Sequence, residues 1–275
     1  MLWNAKNGEV AVGATMMSYV SFGSGEKVLI LLPGLSDGLA TVRGKAMLLA
    51  APYRCFFDRY TVYMFSRKDE MPEGYSIRQM AADQALALQN LGLKKVSVMG
   101  VSEGGMIAQY LAVDFPGLVE KLVLCVTAAH TGPVAKACVE HWIELARQGR
   151  HRQLMIDTAK KSYSPKYLRK YKLTYPLLGL VGRPADGYRR FLINADAILS
   201  FDATLDLWEI GCPTLILGGA EDQIVGAAAA YGLAERIPHS EVWIYEGLGH
   251  AAYEEAPDFC SRVLAFLEKK ESPKQ

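Results

Sequence analysis

An α/β architecture, with a mostly parallel central sheet flanked by helices, is predicted by three features of this sequence. First, short apolar runs such as Val28-Leu29-Ile30-Leu31-Leu32 and Leu122-Val123-Leu124-Cys125-Val126 show no polar alternation, the mark of strands buried on both faces. Second, segments of helical spacing separate these runs, so right-handed crossovers in a parallel sheet are the economical topology. Third, the alternation lapses after Thr127 into helical patterns alone and resumes at Thr214, which predicts a helical insertion between two strands. With 275 residues and 51% hydrophobic content, the chain can bury one large core, or one core plus a small insertion.

In chain order, residues 10–22 alternate loosely and stop at Gly23-Ser24-Gly25-Glu26, which reads as early strands and a turn. The buried run 27–32 stops at Pro33-Gly34-Leu35-Ser36-Asp37-Gly38, and a short strand over 60–65 ends at Ser66-Arg67. Over 76–91 the positions Ile77, Met80, Ala81, Leu86, Leu88 and Leu91 suit a helix closed by Gly92. A strand from Val96 ends at Gly100, and a helical pattern of Met106, Ile107, Tyr110 and Leu111 follows until Pro116 and Gly117 end it. After the strand over 122–126, helices are expected over 134–148, 152–163, 165–180 and 185–199. A strand over 214–217, a helix over 226–236, a strand over 241–245 and a helix over 258–269 complete the pattern, with 271–275 as a frayed tail. The expected organisation is a core of residues 1–132 and 210–275, with 133–209 as a lid over the carboxyl ends of the strands, where open α/β sheets bind ligands.

Gly100-Val101-Ser102-Glu103-Gly104 marks a strand turning sharply into a helix. A serine at such a turn is strained, and the residues two before and two after it must be small. The helix N-terminus then offers free N–H groups beside the Ser102 oxygen, where an oxyanion would form. A serine hydroxyl also needs a positioned base, and the base needs a third group to hold its tautomer. The late strands supply both, because Gly218-Gly219-Ala220-Glu221-Asp222 and Gly247-Leu248-Gly249-His250 each follow a buried strand. Both segments fall at the sheet edge that carries Ser102, in the chain order Ser, Asp, His.

This pattern resembles the α/β-hydrolase family over nearly the whole chain. The similar features are the Gly100-to-Gly104 elbow, Gly-x-x-Asp at Gly219 to Asp222, and Gly249-His250 continuing as Glu254-Glu255-Ala256-Pro257-Asp258-Phe259 and closing with Phe266-Leu267. The resemblance implies the α/β-hydrolase fold, Ser102 as nucleophile, Asp222 as orienting acid, His250 as general base and the insertion as the family's cap. Glu221 is the rival acid, and the Gly-x-x-Asp spacing favours Asp222. Two backbone N–H groups are needed for an oxyanion hole, one from Glu103 and one from Leu35. Many relatives carry His-Gly where this chain has Pro33-Gly34, but a main-chain donor does not depend on that histidine.

The activity so implied is hydrolysis of a small carboxylic ester or related acyl compound through an acyl-enzyme. Perhydrolysis, carbon–carbon bond hydrolysis and acyl transfer use the same constellation, and a small-molecule receptor with little turnover is the reading from another class. No metal or organic cofactor is implied, and the expected partner is a small-molecule acyl substrate. The net charge of +1 argues against capture of nucleic acid. No segment reaches the roughly 20 apolar residues of a membrane span, so stable insertion is not expected. Five scattered cysteines without a Cys-x-x-Cys pair, and an N-terminal stretch without the apolar run of a signal peptide, suggest reduced thiols in a cytoplasmic protein.

Several residues admit two readings. Glu103 is either an acid favoured in a helix's first turn or a group that shapes substrate or binds a cation. Residues 147–172 hold nine Lys or Arg and one acid, Asp157, which reads as a solvated face or as attraction for an anionic substrate or surface. His130 is expected to line the pocket, and His141, His151 and His239 to lie on the surface. Trp142, Tyr163, Tyr167, Tyr171, Tyr175, Tyr188, Phe191, Phe201 and Trp208 are expected to be mostly core, with some facing the cleft.

Overall fold

A computed structural model of the chain describes residues 2–171, 183–184 and 187–270. Among them the amino-terminal part runs β1 (Lys6–Val12), β2 (Thr15–Phe22), β3 (Lys27–Leu32), α1 (Ala46–Ala50) and β4 (Tyr60–Lys68). The alternation continues through α2 (Ile77–Asn90), β5 (Val96–Val101), α3 (Glu103–Asp114) and β6 (Val119–Cys125). Among the described residues four helices then intervene: α4 (Pro133–Arg147), α5 (His151–Ser162), α6 (Pro165–Tyr171) and α7 (Arg189–Leu199). The chain closes with β7 (Thr214–Gly219), α8 (Ala229–Ala234), β8 (Ser240–Tyr245), α9 (Ala252–Glu255) and α10 (Phe259–Glu268).

The strands form one sheet in the order β1-β2-β4-β3-β5-β6-β7-β8. β1 and β2 pair antiparallel, as do β2 and β4, and every later pairing is parallel. All residues of β5 and β7 are buried, whereas the edge strand β8 alternates, which is why the first two read as apolar runs. Alternate side chains of β3 enter different cores. Ile30 and Leu32 pack with α2 and α3, while Leu29 and Leu31 pack with α10 and α1 on the other face. The chain winds outward from β3 to β4 on one side and from β5 to β8 on the other, so the crevice at the β3/β5 switch point lies outside the carboxyl ends of both strands.

Local chemistry accounts for the element boundaries. Ser76 caps α2 in a reciprocal box with Gln79, and Gly92 at φ 70° closes it. Pro133 opens α4 with its ring at the first helical position. β6 begins at Val119, three residues before its apolar run, because the Lys121 ammonium is buried. It donates to the carbonyls of Phe266, Leu267 and Lys269 at the carboxyl end of α10, at 3.2, 2.8 and 2.5 Å. β4 likewise continues to Lys68 through the buried polar residues Ser66 and Arg67. The expected helix over 226–236 is confined to Ala229–Ala234, since Gly226 stands at φ 89°. The helix expected over 165–180 runs over 165–171, and 172–180 lie outside the described residues, as do 185–186 and the expected tail. α7 starts at Arg189, after Tyr188 at φ 72°.

The segment between β6 and β7 is not purely helical: Asp202 forms an antiparallel bridge with His130, and Leu207–Glu209 is a 3₁₀ turn. Its aromatic residues divide between core and surface, with Tyr163 and Tyr167 half-buried. Trp142, Tyr188, Phe191 and Phe201 are buried, but Trp208 is exposed, and the Tyr171 side chain and Tyr175 lie outside the described residues. Among the described residues, contacts at both ends of the segment tie it to the core. α7 rests on the 3₁₀ turn Leu35–Gly38 so closely that a Cβ on Gly38 would lie 2.7 Å from Phe191 Cα. At the far end the Glu255 carboxylate accepts from the Ser164 N–H and hydroxyl at 2.8 and 2.5 Å, and the Tyr163 hydroxyl donates to Glu254 at 2.6 Å.

α3 approaches β3 so closely that a Cβ on Gly104 would lie 2.0 Å from the Leu32 carbonyl oxygen. Backbone on both sides leaves nothing flexible to yield. Gly104→Ala should therefore destabilise the fold by about 1–3 kcal/mol or more, read as a fall in the urea midpoint at unchanged m-value.

Candidate active site

Three loops at the carboxyl edge of the sheet carry the residues singled out from the sequence. Ser102 lies between β5 and α3 at φ 54°, ψ −119°, a conformation that an L-residue holds only under constraint from its surroundings. The constraint is visible. The Ser102 N–H donates to the Cys125 carbonyl at 2.9 Å, and the Thr127 hydroxyl donates to the Ser102 carbonyl at 2.8 Å. The Ser102 side chain is half-buried. Gly34 faces it, so that a Cβ there would lie 3.1 Å from Ser102 Cβ and 3.7 Å from Oγ.

Asp222 and His250 are brought into direct contact, with Asp222 Oδ2 2.8 Å from His250 Nδ1 and both residues buried. The other carboxylate oxygen accepts from the N–H groups of Ile224 and Val225 at 2.8 and 3.0 Å. Burial works against the Asp222 charge, but His250 and these N–H groups prevail and hold its carboxyl below the ordinary value. Glu221 is exposed, and its N–H donates to Leu248 O at 2.9 Å, which ties the two loops together. A Cβ on Gly219 would lie 2.3 Å from Gly249 O, so the acid loop packs directly on the histidine loop. The next residue, Ala251, donates its N–H to Ser162 O at the end of α5, 2.8 Å away. Among the described residues the Ser102 hydroxyl makes no hydrogen bond; it shares the edge with His250 without being bonded to it.

The two expected amide donors flank the switch point. Leu35 opens the 3₁₀ turn after β3, and Glu103 is the first residue of α3. Among the described residues neither N–H donates to a backbone carbonyl, so both keep their hydrogen-bonding capacity.

Glu103 stands in the first turn of α3, as the plainer of its two readings has it. Its side chain is fully buried, and Oε2 lies 2.9 Å from Nη2 of the equally buried Arg67. Burial pushes the Glu103 carboxyl up to about 7, against the pull of the Arg67 and Arg190 guanidinia. Asp37 is buried beside them. Its desolvation is outweighed by Arg190 and Arg67, and its carboxyl sits below the ordinary value. Sequence reasoning passed over Arg67, Asp37 and Arg190. The available signal was positional: Asp37 comes soon after β3 and Arg67 near the end of β4, at the same edge as Ser102.

The remaining residues sort differently. His130 is exposed, and His141 and His239 are exposed as expected. His151 is buried, contrary to expectation, because its ring packs 5.9 Å from that of Tyr188 beneath α7. Of the basic side chains between 147 and 170, Arg147, Arg150, Arg152, Lys160, Lys166, Arg169 and Lys170 are exposed, while Lys161 is half-buried and pairs with Asp157 at 2.7 Å; Lys172 lies outside the described residues. Among the described residues no group of three or more His, Cys, Asp or Glu is placed to hold a metal ion, and no helix is long and apolar enough to cross a membrane.

The chain matches the alpha/beta hydrolase family over residues 29–263. It is similar to 3-oxoadipate enol-lactonase 2 of Acinetobacter baylyi, with 23% identity over 264 residues that span 92% of this chain and 93% of that protein. Among solved structures it resembles an alpha/beta hydrolase enzyme from a Medee basin deep-sea metagenome library, with a TM-score of 0.84 and 21% identity over 98% of this chain and all of that one. The enol-lactonase from Burkholderia xenovorans gives a TM-score of 0.82 at 20% identity, covering 95% of this chain and 100% of that one. At these identities the structural likeness concerns the fold.

The Asp222–His250 contact carries a pH signature. A carboxyl held below its ordinary value of 3.8 contributes stability that is fully present above that value and is lost as pH falls through the lower folded value. Thermal unfolding of Asp222→Asn should therefore lose less stability than the unaltered protein on acidification below pH 3.8; parallel curves would mean that the carboxylate gains nothing from its partners.

Proposed function

The chain belongs to the alpha/beta hydrolase family, and from that premise we propose that it is a serine hydrolase cleaving a small carboxylic ester or related acyl compound. The observation that carries the reading is the Asp222–His250 hydrogen bond at the same sheet edge as the strained Ser102. In this reading His250, its tautomer held by Asp222 at Nδ1, takes the Ser102 proton at Nε2 as Oγ attacks the acyl carbon. The Leu35 and Glu103 N–H groups receive the oxyanion. His250 then gives the proton to the leaving alcohol, and the acyl-enzyme is hydrolysed by a water that His250 activates. An ester as the scissile group is supported by the likeness to an enol-lactonase, since a lactone is a cyclic ester. The five cysteines are free thiols, in keeping with the cytoplasmic setting that belongs to this proposal.

We assign residues 133–209 to a cap that closes the cleft. Support comes from its place between β6 and β7 and from its contacts with the Leu35 turn and with the loop that carries His250. A closed cap excludes water from the oxyanion site and strengthens hydrogen bonds there.

Three experiments test these assignments. Ser102→Ala should abolish labelling by a fluorophosphonate probe and lower turnover of a short-chain p-nitrophenyl ester by at least about 10³-fold, with the fold intact. Asp222→Asn should cost about 10⁴-fold through the wrong histidine tautomer, whereas Glu221→Gln should cost little; exchanged phenotypes would move the acid by one residue. For the cap, a Gly/Ser linker in place of 133–209 should erase discrimination between short and long acyl chains in a panel of esters. Unchanged chain-length preference in a folded variant would assign the pocket to the sheet loops.

A further inference from the structure

Four charged side chains meet beneath the Leu35 turn and the start of α3. Those of Asp37, Arg67 and Glu103 are 0% exposed and that of Arg190 is 11% exposed. Two of the four belong to the pieces of backbone that would hold an oxyanion: Asp37 lies two residues after Leu35, and Glu103 itself bears the other N–H. Arg67, near the end of β4, touches both. Its main-chain N–H donates to Asp37 Oδ2 at 3.0 Å, and its Nη2 stands 2.9 Å from Glu103 Oε2.

We propose that Arg67 is a positioning residue for the oxyanion hole, holding the Leu35 turn and the first residue of α3 at a fixed separation. The role rests on the serine-hydrolase reading. It goes further in naming what sets the distance between two donors that come from different loops. The turn cannot set that distance alone, being a single 3₁₀ turn of four residues whose backbone–backbone bonds run only within itself and to its neighbours; its ties further afield are those of Asp37 to Arg67 and Arg190. Nor is stability a sufficient account of the cluster. A buried ion pair rarely outperforms well-packed apolar residues of the same volume, and this one is an imperfect pair: Arg67 Nη2 reaches Glu103 without the alignment of a hydrogen bond, and Nε and Nη1 find no partner among the described residues. What such a cluster supplies is geometry, because a planar guanidinium in a packed interior fixes what it touches.

Arg190 extends the connection to α7. Its guanidinium donates to Asp37 Oδ2 and to the main-chain oxygens of Arg67 and Lys68 at 2.7, 2.7 and 2.8 Å. The charged groups facing Glu103 are thus Arg67 from β4, Asp37 from the turn and Arg190 from α7, with the Tyr75 phenol in the field of both guanidinia. Two carboxylates against two guanidinia make the ionised cluster neutral.

The test uses the whole protein, titrated for active serine with the fluorophosphonate, in the forms Arg67→Met, Arg67→Lys and Glu103→Gln. Arg67→Met should lower kcat per titrated serine for a short-chain p-nitrophenyl ester by about ten- to hundredfold, the scale of a misplacement near 1 Å. KM should stay within about twofold, and the phosphonylation rate of Ser102 should fall in parallel, since its phosphoryl oxygen uses the same hole. Arg67→Lys, which keeps a cation opposite Glu103, should recover part of the loss. The near-isosteric Glu103→Gln should lower kcat less and remove one ionisation from its pH profile, and it decides the matter if Arg67→Met does not fold. A residue that only supports the fold would lower the titre of active serine while leaving kcat per titrated serine and the pH profile unchanged, and that result overturns the proposal. If Ser102 in the unaltered protein is not labelled, the serine-hydrolase reading itself falls. Labelled Ser102 with unaltered rates in the variants removes the positioning role alone.

Discussion

The arrangement depends on how closely α3 can come to β3. The Leu32 carbonyl lies where a Cβ of residue 104 would be, and Gly104 O lies 2.3 Å from where a Cβ of residue 100 would be. With glycine at both positions, the helix starts immediately after β5 and its first N–H groups face the crevice at the switch point. Ser102, caught between, has no room to relax to an ordinary conformation. The strain is held by packing of the whole layer, since β5 is buried at every residue and α3 is buried almost throughout. A loop could not hold it. A site built on rigid elements keeps its geometry without a ligand, and that separates an elbow from a chance Gly-x-Ser-x-Gly.

Strand order does the next part. Because β6, β7 and β8 follow β5 in parallel, every later loop at that edge arrives on the same side of the sheet. Asp222 and His250 need only the close packing of Gly219 against Gly249 to meet at 2.8 Å. The insertion uses the same loops as its footing. Ser162 O binds the N–H beside His250, and Arg190 binds the carboxylate beside Leu35. A displacement of the insertion is therefore felt at both ends of the candidate site, through short chains of polar contacts.

The fold class was legible because strands buried on both faces leave unbroken apolar runs, and Ser76 and Gly92 punctuate α2 in a way that propensity alone would not. The start of β6 was obscured by Lys121, whose ammonium is satisfied by α10, nearly 150 residues away in sequence. The continuation of β4 through Ser66 and Arg67 was hidden for the same reason: polar residues buried by distant partners look like the start of a loop. The order Ser, Asp, His could be read from the chain, and the loop ends placed these residues at one edge. What no local pattern could give was that Glu103 is buried, because burial of an acid depends on a guanidinium 36 residues earlier. His151 misled in the opposite sense: it sits on a helix rich in charge, but its ring turns inward onto Tyr188.

An acid beside a proposed oxyanion donor is a problem that the structure resolves twice over. A free carboxylate at position 103 would oppose negative charge forming a few ångströms away, in a site where low dielectric magnifies the effect. Paired with Arg67 it presents no net charge to the hole. Protonated, as its rise to about 7 allows on the acid side of neutrality, it presents none either and leaves the guanidinium positive. Both states spare an oxyanion the repulsion of a free carboxylate. The chain can therefore keep an acid in the elbow and use its side chain as a tether, a role that an apolar residue at the same place could not perform.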